Sequence, residues 1–451
     1  MTTSATLSFS HGVHPEYFKH LTDAKPIEQM PFAETYVLPL GQHTGAPSKA
    51  LVRKGQEVRR GQMIAESGGF VSVALHAPVD GTVTGIELVE MPNGKMGPAI
   101  LLRTDPYSTQ QLNLTPPTPP EEMDLKTFLG SIQSSGLVGL GGAAFPAHVK
   151  FSIPEGKTCR YLMLNGAECE PFLTSDHRTM VEHPDAIVDG TAILQHFIRA
   201  EKIFIGIEDN KPDAIAILTE KFNRSGLPAE VVPLKVKYPQ GAEKMLITSI
   251  IQREVPSGKL PLDVETLVSN ISSIAAMSYW FRQGIPLIER VVTVTGAAIH
   301  RPSNLLVPIG TSMQEVVNYC GGLTNDVSRI LLGGPMMGMV QKSLNSPVLK
   351  GTSGILALTS REVKDLEEYE CIRCGKCVDA CPMHLNPSLL GLLAKNGLWE
   401  EMQDNYVFDC FECGSCSFVC PSGIPLVQSF RVAKGLLREQ QAREKAKATA
   451  V

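Results

Sequence analysis

The sequence predicts a multidomain chain, α/β and α+β in class, with its units strung in series. Three observations carry that expectation. At 451 residues the chain is too long for one core, because single hydrophobic cores stop growing beyond about 250–300 residues, so three or four packed units are expected. The stretch LTPPTPPEEMD sets Pro116, Pro117, Pro119 and Pro120 close together. Neither a helix nor an inner strand tolerates that, and a linker is placed there. Eight of the 11 cysteines crowd into residues 371–420, a concentration unlike the text before it.

Hydrophobic residues make up 43% of the chain and charged residues 19%, with a formal net charge of -5. Without a basic excess there is no footprint for nucleic acid, and an acidic or neutral small molecule or a protein partner is expected. MTTSATLSFSHGVHPEYFKH lacks a basic segment followed by an apolar one, and no window reaches the roughly 18 apolar residues of a membrane span. The chain is therefore expected to be neither exported nor membrane-spanning. The cysteine usage fits metal ligation in a reducing cytosol. Cys159, Cys169 and Cys320 stand apart and read as small buried apolar residues.

Residues 1–115 are rich in glycine, β-branched residues and short turn-bounded runs, as in ALVRKGQEVRRGQMIAE and VSVALHAPVDGTVTGIELV. They read as an all-β unit. The pair KGQEVRRGQ and HAPVDGTVTGI resembles the flattened barrel of biotinyl and lipoyl carriers, which makes the unit barrel-sandwich-like. Asp80-Gly81 is expected at the hairpin turn where such carriers present a modified lysine. No lysine stands there, so a structural role is expected.

From 123 to 288, apolar strand-like runs (YLMLN, KIFIGIE, AEVVPLKV) alternate with segments of helical period such as DAIVDGTAILQHFIRA and PDAIAILTEKFN. Helices packed on a mainly parallel sheet are the expected result. Residues 289–359 carry short strands around one helix and resemble a small ubiquitin-like β-grasp fold of the SLBB type. Residues 360–438 hold the cysteine runs on helices. The charged, alanine-rich tail 439–451 is expected to be a frayed, flexible helix.

CIRCGKCVDACP and CFECGSCSFVCP repeat one spacing, CxxCxxCxxxCP, which is the ligand run of bacterial two-cluster ferredoxins. A short loop wraps three corners of a [4Fe-4S] cube, and the fourth corner must be met by a distant segment. Cys371, Cys374, Cys377 and Cys420 are accordingly assigned to one cluster, and Cys410, Cys413, Cys416 and Cys381 to the other. Zinc also binds CxxC pairs, but four thiols and a proline, twice over, favour two cubes. Such centres pass single electrons, so another part of the chain must supply or take them.

GLVGLGGAAFPAHVK at 136–150 lets backbone amides approach a phosphate or flat ring. YLMLNGAECEPFLTSDHRTM ends a buried strand in an acidic loop. The first resembles the GxGGAxFPxxxK loop of the complex I NADH-binding flavoprotein subunit, and NGAECEP resembles its NADESEP segment. Over nearly the whole chain, the text resembles the RnfC family, a component of the Rnf electron-transport complex, which is a membrane-bound ferredoxin:NAD oxidoreductase. FSHGVHPEYFKHLTDAKPIE, KYPQGAEKMLI at 237–247, the third unit and the paired cysteine runs carry that resemblance in the same order.

The resemblance implies that FMN and NAD(H) share a cleft lined by Gly139, Gly141, Gly142, Phe145 and Lys150. It implies Asn165, Glu168 and Glu170 in an acidic loop against flavin and nicotinamide, with Glu168 as the catalytic residue. Glu208 falls to the same flavin pocket, Gly241, Glu243 and Lys244 to a further flavin-side loop, and Asn270 to the flavin phosphate or ring. Leu140 stands where complex I has an arginine and Ala167 where it has the first aspartate of the loop.

Nicotinamide exchanges electrons in pairs and clusters singly, so a flavin must stand between them. The expected path runs from NAD(H) through FMN to two [4Fe-4S] clusters, in either direction. The implied partners are the other subunits of a membrane electron-transport complex, including a ferredoxin-like one, with attachment to the cytoplasmic face of the bacterial inner membrane only through them. Two alternatives stand beside it. One is a cobalamin reductase of bacterial microcompartments, which shares flavin loop, third unit and ladders but lacks the front β unit. The other is an electron-carrying scaffold whose nucleotide cleft is vestigial.

Overall fold

The computed structural model describes residues 6–363 and 366–449. At its centre lies a four-stranded sheet of β1 (Tyr161–Asn165), β2 (Lys202–Glu208), β3 (Ala229–Leu234) and β4 (Thr266–Asn270). The order is β3-β2-β1-β4 and every pair is parallel. Alternate side chains of these apolar runs enter two cores. Leu162, Leu164, Ile203, Ile205 and Leu267 share one with Phe128, Ile193, Ile274 and Phe281, while Met163, Phe204 and Val268 pack with Leu246 and Ile247 on the other face. The covering helices are α1 (Leu125–Ser134), α2 (Ala147–Phe151), α3 (Ser175–Glu182), α4 (Pro184–Ile198), α5 (Pro212–Ser225), α6 (Glu243–Ile251) and α7 (Ile271–Gln283).

Ahead of this unit, seven short strands between Thr35 and Thr104 build two small antiparallel sheets. Asp80-Gly81 is not a hairpin turn. The strand Leu75–His76 belongs to the three-stranded sheet and Gly81–Glu90 to the four-stranded one, so the dipeptide carries the chain from one sheet to the other. There the Asp80 carboxylate accepts hydrogen bonds from the Arg60 amide at 2.6 Å and from the Ser108 hydroxyl.

Residues 6–30 lie outside the barrel and lace the other units together. Leu7 bridges to Leu234 at the sheet edge and Val13 to Tyr238. Ile27–Gln29 then adds a parallel strand beside Ser303–Pro308, completing a six-stranded mixed sheet with one helix, Met313–Tyr319. In the last unit, Leu390, Met402, Val407, Phe430, Ala433 and Leu437 form the core. Its long helix Leu426–Thr449 runs through the boundary expected at 438. Among the described residues, no helix is long and apolar enough to cross a membrane.

Candidate flavin crevice and cysteine centres

Asn165, Glu208 and Asn270 end β1, β2 and β4, so the sheet delivers three of the expected site residues to its carboxyl edge. Ligands bind open α/β sheets in the crevice beyond that edge. Asn165 Nδ2 donates to the Gly241 carbonyl at 2.7 Å, and the Gly241 amide donates to Cys169 Sγ at 3.2 Å. A Cβ on Gly241 would stand 3.2 Å from that sulfur, a tight approach that Cys169 would have to yield to by a few tenths of an ångström. The glycine loop folds back on itself through Gly139 N–H to the Phe145 carbonyl at 2.8 Å. Gly142, at φ 110°, turns it in a conformation closed to other residues. Its tip, residues 141–143, is exposed.

Asn270 caps α7 by accepting from the Ser272 and Ser273 amides at 3.0 and 3.3 Å, and its Nδ2 donates to Asp176 at 2.7 Å. A Cβ on Gly141 would lie 3.5 Å from the same nitrogen, which puts the glycine loop against the helix start. Burial and the nearby Glu168 charge push the Asp176 carboxyl up to about 6. Lys150 pairs with Glu243 at 2.7 Å, each about 35% exposed, which joins the glycine loop to the first turn of α6. Lys244 is half-buried on that same turn.

The three acidic residues do structural work that the sequence did not announce. Glu168, at φ 47°, turns its carboxylate onto the start of α3, accepting from the Asp176 and His177 amides at 2.7 and 3.2 Å. Glu170 accepts from the Met336 and Met337 amides of the β-grasp unit at 3.1 and 2.9 Å, and burial pushes its carboxyl up to about 7. Glu208 is fully buried against Lys211 at 3.4 Å. Burial raises its pKa, and Lys211 opposes that rise.

The eight ladder thiols fall into two groups. One cavity is lined by Cys381, Cys410, Cys413 and Cys416 together. Cys377 lies within electrostatic reach of Cys420, Cys371 and Cys374. Both groups are made the same way: Gly375 and Gly414, at φ 78° and 87°, start the four-residue helices Lys376–Asp379 and Ser415–Phe418. Cys371 and Cys374 are exposed, whereas Cys381, Cys413 and Cys416 are buried. The buried group abuts the flavin-side unit. The Tyr238 hydroxyl donates to the Cys413 carbonyl at 2.7 Å, and Val13, Cys169, Tyr238, Ala380 and Cys413 pack as one apolar cluster.

Models for four domain types match in this order: an RnfC barrel sandwich hybrid domain over 7–107, a Nuo51 FMN-binding domain over 132–279, an SLBB domain over 291–340 and a 4Fe-4S dicluster domain over 367–424. The RnfC-type component of the proton-translocating ferredoxin:NAD(+) oxidoreductase complex of Clostridium ljungdahlii is 45% identical over 88% of this chain and 87% of its own. The Na(+)-translocating counterpart of Acetobacterium woodii is 42% identical over 95% and 96%. The chain belongs to the RnfC family. This disfavours the cobalamin-reductase alternative, because the RnfC relatives match from the front barrel through the ladders.

The donor sets fit the groups that the RnfC family's domains hold. Cys381, Cys410, Cys413 and Cys416 face one cavity, and thiolates are the ligands of iron-sulfur clusters. Cys371, Cys374 and Cys420 lie close enough to Cys377 to act on it electrostatically. At the crevice, glycine backbone, two asparagines and a lysine suit a flat polar ring with a phosphate. A cavity of about 250 Å³ lies elsewhere, between α7 and residues 285–291, and none of the expected cofactor residues lines it. Sequence reasoning missed Lys19, Lys211, Tyr238 and Met336. Each acts on a segment remote in sequence, so no local pattern marks them.

Proposed function

We propose that this chain is the peripheral electron-input and output subunit of a membrane-bound ferredoxin:NAD oxidoreductase, passing electrons between NAD(H), FMN and two [4Fe-4S] clusters. The single observation that carries it is the seam where the sheet's carboxyl edge meets the inner cysteine group, through Tyr238 and Cys413. FMN, when bound, accepts a hydride and releases single electrons. Gly139, Gly141, Gly142 and Phe145 would line its ring, and Asn270, which caps α7, would set the helix dipole beside it. Lys150 answers the charge, while Asn165 and Gly241 close the far wall. Glu168 is a positioning residue in this reading, because its carboxylate orders α3 and Asp176. Lys244, and Glu243 beside its partner Lys150, would face nicotinamide dinucleotide. Cys371, Cys374, Cys377 and Cys420 would hold the outer cluster and Cys381, Cys410, Cys413 and Cys416 the inner one.

The chain's place is the cytoplasmic face of the bacterial membrane, docked on partner subunits, one of them ferredoxin-like. Protein reconstituted without oxygen should hold about eight irons and one flavin per chain, and NADH should bleach the flavin. Zinc, or about four irons, would refute the two-cluster assignment. A second reading, an electron-carrying scaffold, is favoured by Leu140, Ala167 and the engagement of Glu168 and Glu170 with backbone amides. Flavin that stays oxidised under NADH would establish it instead.

A further inference from the structure

Lys19 lies in the amino-terminal strap, 149 residues before the acidic loop, and only 7% of it is exposed. Its ammonium nitrogen donates to the carbonyls of Glu168, Glu170 and Leu173 at 2.8, 3.0 and 2.6 Å. The strap follows the loop on both sides of this contact. The Phe172 amide donates to the Tyr17 carbonyl at 2.7 Å, Phe18 stacks on Phe172, and the Thr22 and Thr174 hydroxyls share a hydrogen bond. From the other side, Lys211 Nζ donates to the Ala167 carbonyl at 2.7 Å and to Asn210 Oδ1 at 2.8 Å. Four carbonyls of the loop thus turn onto two buried lysines.

Lys19 must be charged to make these bonds. Three acceptors at hydrogen-bond distance need three N–H donors, which an ammonium has and a neutral amine lacks. Burial and the Lys211 charge disfavour the ammonium, whereas Glu168 and Glu208 favour it. Lys211 has Glu208 as a direct counter-ion, but the groups that touch Lys19 are neutral carbonyls. Low-dielectric surroundings strengthen the field of the Lys19 charge, with the Glu168 and Glu208 carboxylates acting on it from beyond hydrogen-bond distance.

We infer that Lys19 is a positioning residue of the flavin crevice, holding the acidic loop in shape and adding a buried positive charge that makes bound FMN easier to reduce. This rests on the flavin reading above. The sign is fixed by electrostatics: reduction adds negative charge to the flavin, so a nearby cation favours the reduced state, and removing the cation disfavours it.

The test is an anaerobic redox titration of the flavin in the full chain, with FMN dissociation measured alongside. Lys19→Met should bind FMN about tenfold more weakly, the scale of a lost hydrogen bond to a charged group, and its flavin midpoint should move to more negative potential. Lys19→Arg should restore the potential. Lys25→Met is the control, since Lys25 ties the same strap to the Pro302 carbonyl at 2.6 Å, away from the loop, and it should leave the potential unchanged. If Lys19→Met does not fold, Lys19→Gln, which keeps two donors without the charge, carries the same expectation. An unshifted midpoint in the neutral variants, or an equal shift in Lys25→Met, would overturn the inference. Wild-type protein that binds no FMN would instead overturn the reading beneath it.

Discussion

At the scale of single residues, Glu168 turns its carboxylate onto the first amides of α3, while Glu170 turns its own onto the Met336 and Met337 amides. The ladder cysteines sit on short repeated patterns, so their gathering into two groups follows from spacing. Glu168 was legible as an acid beside the crevice, but not as the cap of α3, because the capped amides lie eight and nine residues further on. Glu168→Gln should therefore cost about 0.5–1 kcal/mol of stability, because the amide keeps one acceptor oxygen but loses the charge at the start of α3. It should also slow flavin bleaching by NADH several-fold and leave cluster absorbance unchanged; equal loss of flavin and cluster would mean that it serves folding alone. Glu170 makes a prediction in pH. Burial lifts its carboxyl from 4.5 to about 7, so the folded chain holds a proton that the unfolded chain has released. Its contribution is most favourable below about 4.5 and declines as pH rises through about 7. Glu170→Gln cannot ionise, and thermal melts should show its Tm improving relative to wild type from pH 5.5 to 8. A difference that stays constant across that range would show that the native carboxyl titrates normally.

At the scale of elements, the central strands were legible because a sheet covered on both faces needs continuous apolar runs, which YLMLN and KIFIGIE supply. The strand Ile27–Gln29 is three residues long, too short to show a period, and its pairing with Ser303–Pro308 spans most of the chain. Asp80-Gly81 misled because turn chemistry does not say which sheet the next strand joins. The α7 start shows how an element end becomes a site: one asparagine caps the helix, lies beside the glycine loop and binds Asp176. Asn270→Ala should lower stability by about 1–2 kcal/mol and reduce the flavin retained after gel filtration. Asn270→Asp should keep the cap, because a carboxylate accepts the same amides, yet it sets a second acid beside Asp176 and the phosphate side. Its flavin retention should thus be worse than its melting temperature suggests. Parallel losses of both in Asn270→Asp would show that capping is the residue's whole contribution.

At the scale of the whole molecule, the two cysteine groups are not equivalent, although their local geometry repeats. The inner group is buried and linked to the flavin-side unit by the Tyr238–Cys413 bond and by the seam of Val13, Cys169 and Tyr238. Glu170 clamps the β-grasp segment Met336–Met337, and Met336 packs in the same seam. The outer group instead presents Cys371 and Cys374 at the surface, with Ile372 67% exposed between them, where a partner protein can approach. Electrons entering from the crevice should therefore meet the cluster of Cys381, Cys410, Cys413 and Cys416 first and leave through the other. Replacing Cys413 by alanine should remove one cluster, about four irons, and the outer cluster should stay oxidised when NADH reduces the flavin. Replacing Cys374 by alanine should also remove about four irons, yet leave the inner cluster reducible by NADH at the wild-type rate and abolish electron delivery to an external one-electron acceptor. Electron paramagnetic resonance of frozen, NADH-treated samples distinguishes the two variants. An outer cluster reduced at the normal rate in Cys413→Ala would mean that the seam is packing and that electrons take another route.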